Sequence, residues 1–151
     1  MSTETEIRDA IINELQVGST IEGLKIEKGI KEPVKNYSMN NEPGVVLVRF
    51  IGGPSEEVKP IEFDNGVYQN LGQNEIQQFE IYIGYQIFDK KEEEDIYLIT
   101  RMVKTLLTNA KVGLSIKPLV CRMQYDIEQN DNQRWVRMIF DTKQKIAQRT
   151  L

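Results

Sequence analysis

The stretch EPVKNYSMNNEPGVVLVRFIGG, residues 32–53, constrains this chain more than any other. Pro33 and Pro43 have no backbone N–H and a fixed φ, so the segment up to Gly44 is an irregular connection rather than a regular element. Residues 45–50 are then apolar or β-branched at every position except Arg49. A run of that kind fits a strand covered on much of both faces, because a half-exposed strand alternates instead. The fold must therefore hold a sheet with something on each side.

With 151 residues the expectation is one domain, spanning 1–151. A chain of this size buries roughly 68–70% of its unfolded surface. No apolar run approaches the roughly 20 residues that cross a bilayer. The opening MSTETEIRDA lacks signal-peptide character, so no membrane partner is expected. The single cysteine, Cys121, leaves no internal disulfide. Histidine is absent, which removes Ser-His-Asp and Cys-His nucleophilic sites, His-ligated zinc and histidine pH switches. The net charge of −4 argues against a protein that grips nucleic acid by neutralising phosphates.

Residues 3–16 read as a helix. Thr3 and Glu6 suit a capping box, Ile7, Ile11, Ile12 and Leu15 form one stripe, and Gly18 is a stop. Residues 20–26 suggest a short strand, with Gly23 spoiling the alternation. After the strand at 45–50 comes an excursion over 53–73. Its Asp64-Asn65-Gly66, set between Ile61, Phe63 and Val67, Tyr68, predicts a protruding β-hairpin. Residues 76–88 read as the longest strand. Phe79, Ile81, Ile83, Tyr85 and Ile87 face the core, while Gln78, Glu80, Gly84 and Gln86 face the other way, joined by Tyr82.

Residues 92–110 predict a second amphipathic helix, with Glu92, Glu93, Glu94 and Asp95 at its positive end and a stripe of Ile96, Ile99, Val103, Leu106, Leu107 and Ala110. A terminal hairpin follows. Leu119, Cys121, Met123, Tyr125 and Ile127 alternate with polar residues, then Val136, Met138 and Phe140 face one way and Trp135 and Arg137 the other. Residues 142–151 read as a polar tail. The fold class expected is α+β: a mostly antiparallel sheet with two amphipathic helices on one face and a protruding hairpin.

No motif with a catalytic mechanism is present. The chain lacks a phosphate-cradling glycine loop and a G-x-S-x-G elbow. Asp126, Glu128, Asp131 and Asp141 are carboxylates without a spacing that fixes a catalytic pair, and the glutamates at 92–94 point in different directions around a helix. The expectation is no enzyme, no cofactor and no metal. The face opposite the core mixes Tyr82, Trp135 and Arg137 with polar residues, a composition enriched at protein contacts. With Tyr68 in the hairpin, these are the candidate interface residues.

The chain resembles the tail-terminator-like family of Mu-type contractile phages. The resemblance rests on Pro33-x-x-x-Tyr37, then Pro43-Gly44, then Val-Leu-Val-Arg-Phe-x-Gly at 46–52. The helix bearing Ile7, Arg8, Ala10 and Ile11, the Ile21-Glu22-Gly23 entry, the strand with Phe79 and Ile87, the run Met102-Val103-Lys104-Thr105-Leu106-Leu107, and Trp135 follow in the family's order. The excursion at 53–73 departs from it in being longer and more acidic.

What the resemblance implies is a homo-hexameric ring that caps the head-proximal end of a tail tube and sheath, stops polymerisation and docks the neck or connector protein. It implies a place in a virion tail or a phage-tail-like particle, made in the host bacterial cytoplasm. Six copies at −4 each give a ring of about −24, whose acidic lumen would let DNA pass without sequence-specific binding. Alternatives are another neck or baseplate adaptor, such as a stopper or connector, and a monomeric ligand-binding domain or small carboxylate enzyme.

Overall fold

A computed structural model describes residues 3–29, 44–53, 61–62, 68–69, 73–86, 90–113, 115, 117–130 and 133–146. Within these ranges the side chains of 61–62, 68–69, 73–74, 90–94, 125–130 and 145–146 lie outside the description. The element order is α1 (Thr3–Gly18), β1 (Lys25–Lys28), β2 (Val45–Gly52), β3 (Ile61–Glu62), β4 (Tyr68–Gln69), β5 (Gln73–Gln86), α2 (Lys90–Leu107), β6 (Val120–Asn130) and β7 (Gln133–Ile146). Five strands form one sheet in the order β1-β2-β5-β7-β6. Only β1 and β2 run parallel; the β2–β5, β5–β7 and β6–β7 ladders are antiparallel. The fold is α+β, with a mixed sheet and two helices.

Strand alternation divides the interior into two clusters. One holds Val46 and Val48 of β2, Phe79, Ile81, Ile83 and Tyr85 of β5, and Val136, Met138 and Phe140 of β7. The same cluster takes Ile7, Ile11 and Leu15 from α1 and Ile96, Ile99, Val103 and Leu107 from α2, so both helices cover this face. The helical stripes are i, i+4, i+8 and i, i+3, i+7, i+11, the spacing that keeps side chains on one side of a helix. The second cluster holds Val45, Leu47, Tyr82 and Trp135, all from the opposite face. β2 is thus buried on both sides, as its unbroken apolar run requires.

Three elements depart from the sequence expectation. The short strand falls at Lys25–Lys28, later than the predicted 20–26, because residues 21–23 turn instead and Gly23 takes a φ of 77°. Side chains with a Cβ avoid that region, so the glycine that spoils the alternation is the residue the turn needs. The polar tail is shorter than expected. β7 continues past Asp141 to Ile146, pairing residues 141–146 with Gln73–Gln78 of β5; residues 147–151 lie outside the described residues. Finally, Met123 is half exposed, because the β6–β7 register slips between Cys121 and Met123 and turns that side chain out of the apolar row.

The hairpin predicted around Asp64-Asn65-Gly66 has its two strands. β3 and β4 pair antiparallel, Ile61 with Gln69 and Glu62 with Tyr68, and form a two-stranded sheet separate from the main one. Residues 63–67 lie outside the described residues.

Candidate interaction surfaces

The three central strands set a charged group on the sheet face away from the helices. Arg49 of β2 lies directly opposite Glu80 of β5, and Arg137 of β7 lies opposite Tyr82, one diagonal step from Glu80. The Glu80 carboxylate is 1% exposed and both guanidinium groups converge on it. Arg49 donates to Oε1 through Nε at 2.8 Å and through Nη2. Arg137 Nη2 pairs with Oε2, and the Tyr82 hydroxyl donates to the same oxygen at 3.1 Å. A buried carboxylate is stable only when its charge and lone pairs are met, and here both oxygens are. Burial, then the Glu80 charge and hydrogen bond, push the Tyr82 phenol up to about 12.

The alternation places Glu80 on the face opposite the core, as expected, and the structure buries it there. Alternation identifies which way a side chain points but not what will cover it. The same holds for the aromatic residues beside it. Trp135 has no accessible surface, and its indole lies across Gly84, its cross-strand partner: a Cβ at Gly84 would fall 2.5 Å from the ring. Glycine is needed there for space.

Of the four candidate interface residues, the structure brings Tyr82, Trp135 and Arg137 into one patch. Tyr82 and Trp135 are buried within the chain, while Arg137 keeps 26% of its side chain exposed. On this face the two arginines are the accessible groups of the patch, and the aromatics are buried beside them. Tyr68 lies in β4, and its side chain is outside the described residues. A second polar group continues this band. Asp141 accepts hydrogen bonds from Gln78 Nε2 at 3.0 Å and Arg122 Nε at 2.8 Å.

The second surface lies on the other side of the molecule's edge, where α2 meets edge strand β6. Tyr97, Thr100, Arg101, Lys104, Thr105 and Thr108 of the helix and its end line a groove of about 430 Å³, closed by Gln124 of β6. Positions 97, 101, 104 and 108 recur at helical spacing on a side of α2 distinct from its buried stripe. Among the described residues the lining carries two cations and no carboxylate. Tyr97 is 50% exposed and Leu98 beside it 59% exposed, and the Arg134 guanidinium sits 5.2 Å from the Tyr97 ring centre. The sequence contained this stripe, but only the topology places β6 alongside it.

Cys121, at the start of β6, is half-buried, and burial raises its thiol above the ordinary value against the opposing pull of Lys104. That fits a packing role better than a reactive one. Among the described residues no cluster of three or more acidic or cysteine side chains is placed to hold a metal ion. Nor is any described helix long and apolar enough to cross a membrane.

Neither known protein families nor curated proteins give a match. Among solved structures the fold is similar to a chain in the virion of a native gene transfer agent particle. The TM-score is 0.58 at 12% identity, covering 95% of this chain and 98% of that one. The likeness runs end to end, so both chains share one whole-domain architecture.

Proposed function

We propose that this chain is a structural subunit of a phage-like particle and that it acts as a tail terminator, forming a ring at the head-proximal end of a tail tube. The observation that carries this is the end-to-end likeness to a virion chain, 95% of one and 98% of the other. A shared fold alone does not transfer a role. The reading gains support from the order of sequence features that resemble the Mu-type terminator family. In it the chain assembles with itself and meets tube, sheath and neck proteins through surfaces rather than through a catalytic pocket.

A ring of identical subunits needs a heterologous contact: two different patches on each copy, meeting head to tail. The chain offers more than one patch of suitable composition. The Arg49–Glu80–Arg137 band has two partly exposed guanidinium groups on a buried anion, and the α2–β6 groove has cations beside exposed apolar side chains. Arginine, tyrosine and exposed apolar groups together are the composition favoured at protein contacts.

The experiment is light scattering over a wide concentration range. A species near six times 17.5 kDa is expected. A monomer at every concentration would remove self-assembly in free solution and require the tube end to template the ring. A related role as another neck adaptor predicts a different position on the particle, which labelling of assembled particles distinguishes.

A further inference from the structure

We infer that the α2–β6 groove is the receiving half of the subunit contact, and that its occupant is the acidic 54–72 hairpin segment of a neighbouring copy. This deepens the ring proposal and rests on it. The groove presents Arg101 and Lys104 with the hydroxyl-bearing Thr100, Thr105 and Thr108, and among the described residues that line it there is no carboxylate. Segment 54–72 holds Glu56, Glu57, Glu62 and Asp64 against a single lysine, Lys59, and so carries a net charge of −3. Opposite charges on two patches of one chain favour head-to-tail pairing and penalise like-on-like pairing, which is the rule a closing ring needs.

The segment also carries Ile61, Phe63, Val67, Tyr68 and Leu71, and the groove is flanked by the exposed Tyr97 and Leu98. Apolar surface beside cations fits a protein segment better than a nucleic-acid backbone, which offers phosphates and sugars. Among the described residues, the hairpin's strands β3 and β4 pair with each other in a sheet separate from the main one. A two-stranded hairpin gains stability when it packs against a further surface, which docking would supply. Bulges between Cys121 and Met123 and between Asp126 and Gln129 break the regularity of β6. An interrupted edge of that kind disfavours simple strand addition and leaves recognition to side chains in the groove.

The test places a photo-crosslinking amino acid at Gln124 of the full chain and irradiates a mixture of ¹⁴N- and ¹⁵N-labelled protein. Mixed-mass adducts to residues 54–72 are expected. Arg101→Glu with Lys104→Glu should weaken self-association by about tenfold or more, and adding Glu56→Lys with Glu57→Lys should restore most of it. Circular dichroism confirms that each variant is folded. Adducts confined to one chain, adducts to another segment, or duplex DNA binding lost in the groove variant without interchain adducts would each overturn the inference. So would charge reversals that leave association unchanged, or reversals on both sides that fail to compensate. A hexamer whose adducts lie elsewhere refutes the groove but keeps the ring. Groove–hairpin adducts in an open or smaller assembly keep the contact and refute the ring. A chain that self-associates neither in free solution nor on tube ends counts against both.

Discussion

Replacing Glu80 by glutamine tests the charged group at the centre of the sheet. The substitution keeps the side chain's size and removes its charge. In the native protein that carboxylate is 1% exposed and meets two guanidinium groups and a phenol. Two unit charges about 4 Å apart attract by roughly 4 kcal/mol at an effective dielectric of about 20. Much of that attraction is offset by the cost of drying the ions. Removing one member of a buried ion group typically costs about 3–5 kcal/mol, because the remaining charges stay uncompensated.

Here Arg49 and Arg137 are 27% and 26% exposed and can regain some water, so the lower end, about 3 kcal/mol, is expected. For a chain of this size that lowers the melting temperature by roughly 6–12 °C. Urea titration should show a lower midpoint at unchanged slope. Arg137→Gln should cost less, because Arg49 and Tyr82 still hold Glu80. A loss below about 0.5 kcal/mol for Glu80→Gln, the range of ordinary surface substitutions, would refute the burial and pairing described for this residue.

Three further outcomes follow from particular contacts. Gly84→Ala drives a methyl group into the Trp135 ring and should destabilise by about 1–3 kcal/mol; Trp135→Phe in the same chain should recover part of that, and a neutral Gly84→Ala would contradict the packing. Tyr82, raised to about 12, should lag the other tyrosines in alkaline absorbance titration. Its folded pKa lies above the unfolded value of about 10, so its contribution to stability is complete below pH 10 and lost as pH rises towards 12; uniform titration of all tyrosines would contradict this. The Cys121 thiol, held above its ordinary value by burial, should react with a disulfide reagent at pH 8 more slowly than a free thiol and reach the free rate in urea.

The helices and the helix-facing rows of β5 and β7 were legible because burial there follows a single period, and β2 because its unbroken apolar run fits a strand covered on both faces. Ile7, Ile11 and Leu15, or Phe79, Ile81 and Ile83, leave one assignment open. Less was legible where backbone pairing outruns the apolar pattern. β7 continues through Thr142, Lys143 and Gln144 because the partner strand supplies the hydrogen bonds, whatever side chains those residues carry. The Glu80 group was hidden for a different reason. Arg49 is 31 residues from Glu80 in sequence, and only the strand order places Arg49 and Arg137 on either side of it. The α2–β6 groove has the same character: its helix stripe is a visible polar face, while its other wall depends on which strand ends the sheet.

The central claim is a position at one end of a tail tube, and electron microscopy of tail tubes mixed with gold-labelled protein tests it most directly. The account predicts label at a single end of each tube, on a ring of subunits, and tubes that no longer lengthen once labelled. Label spread along the tube, or tube ends left bare at saturating protein, would contradict it.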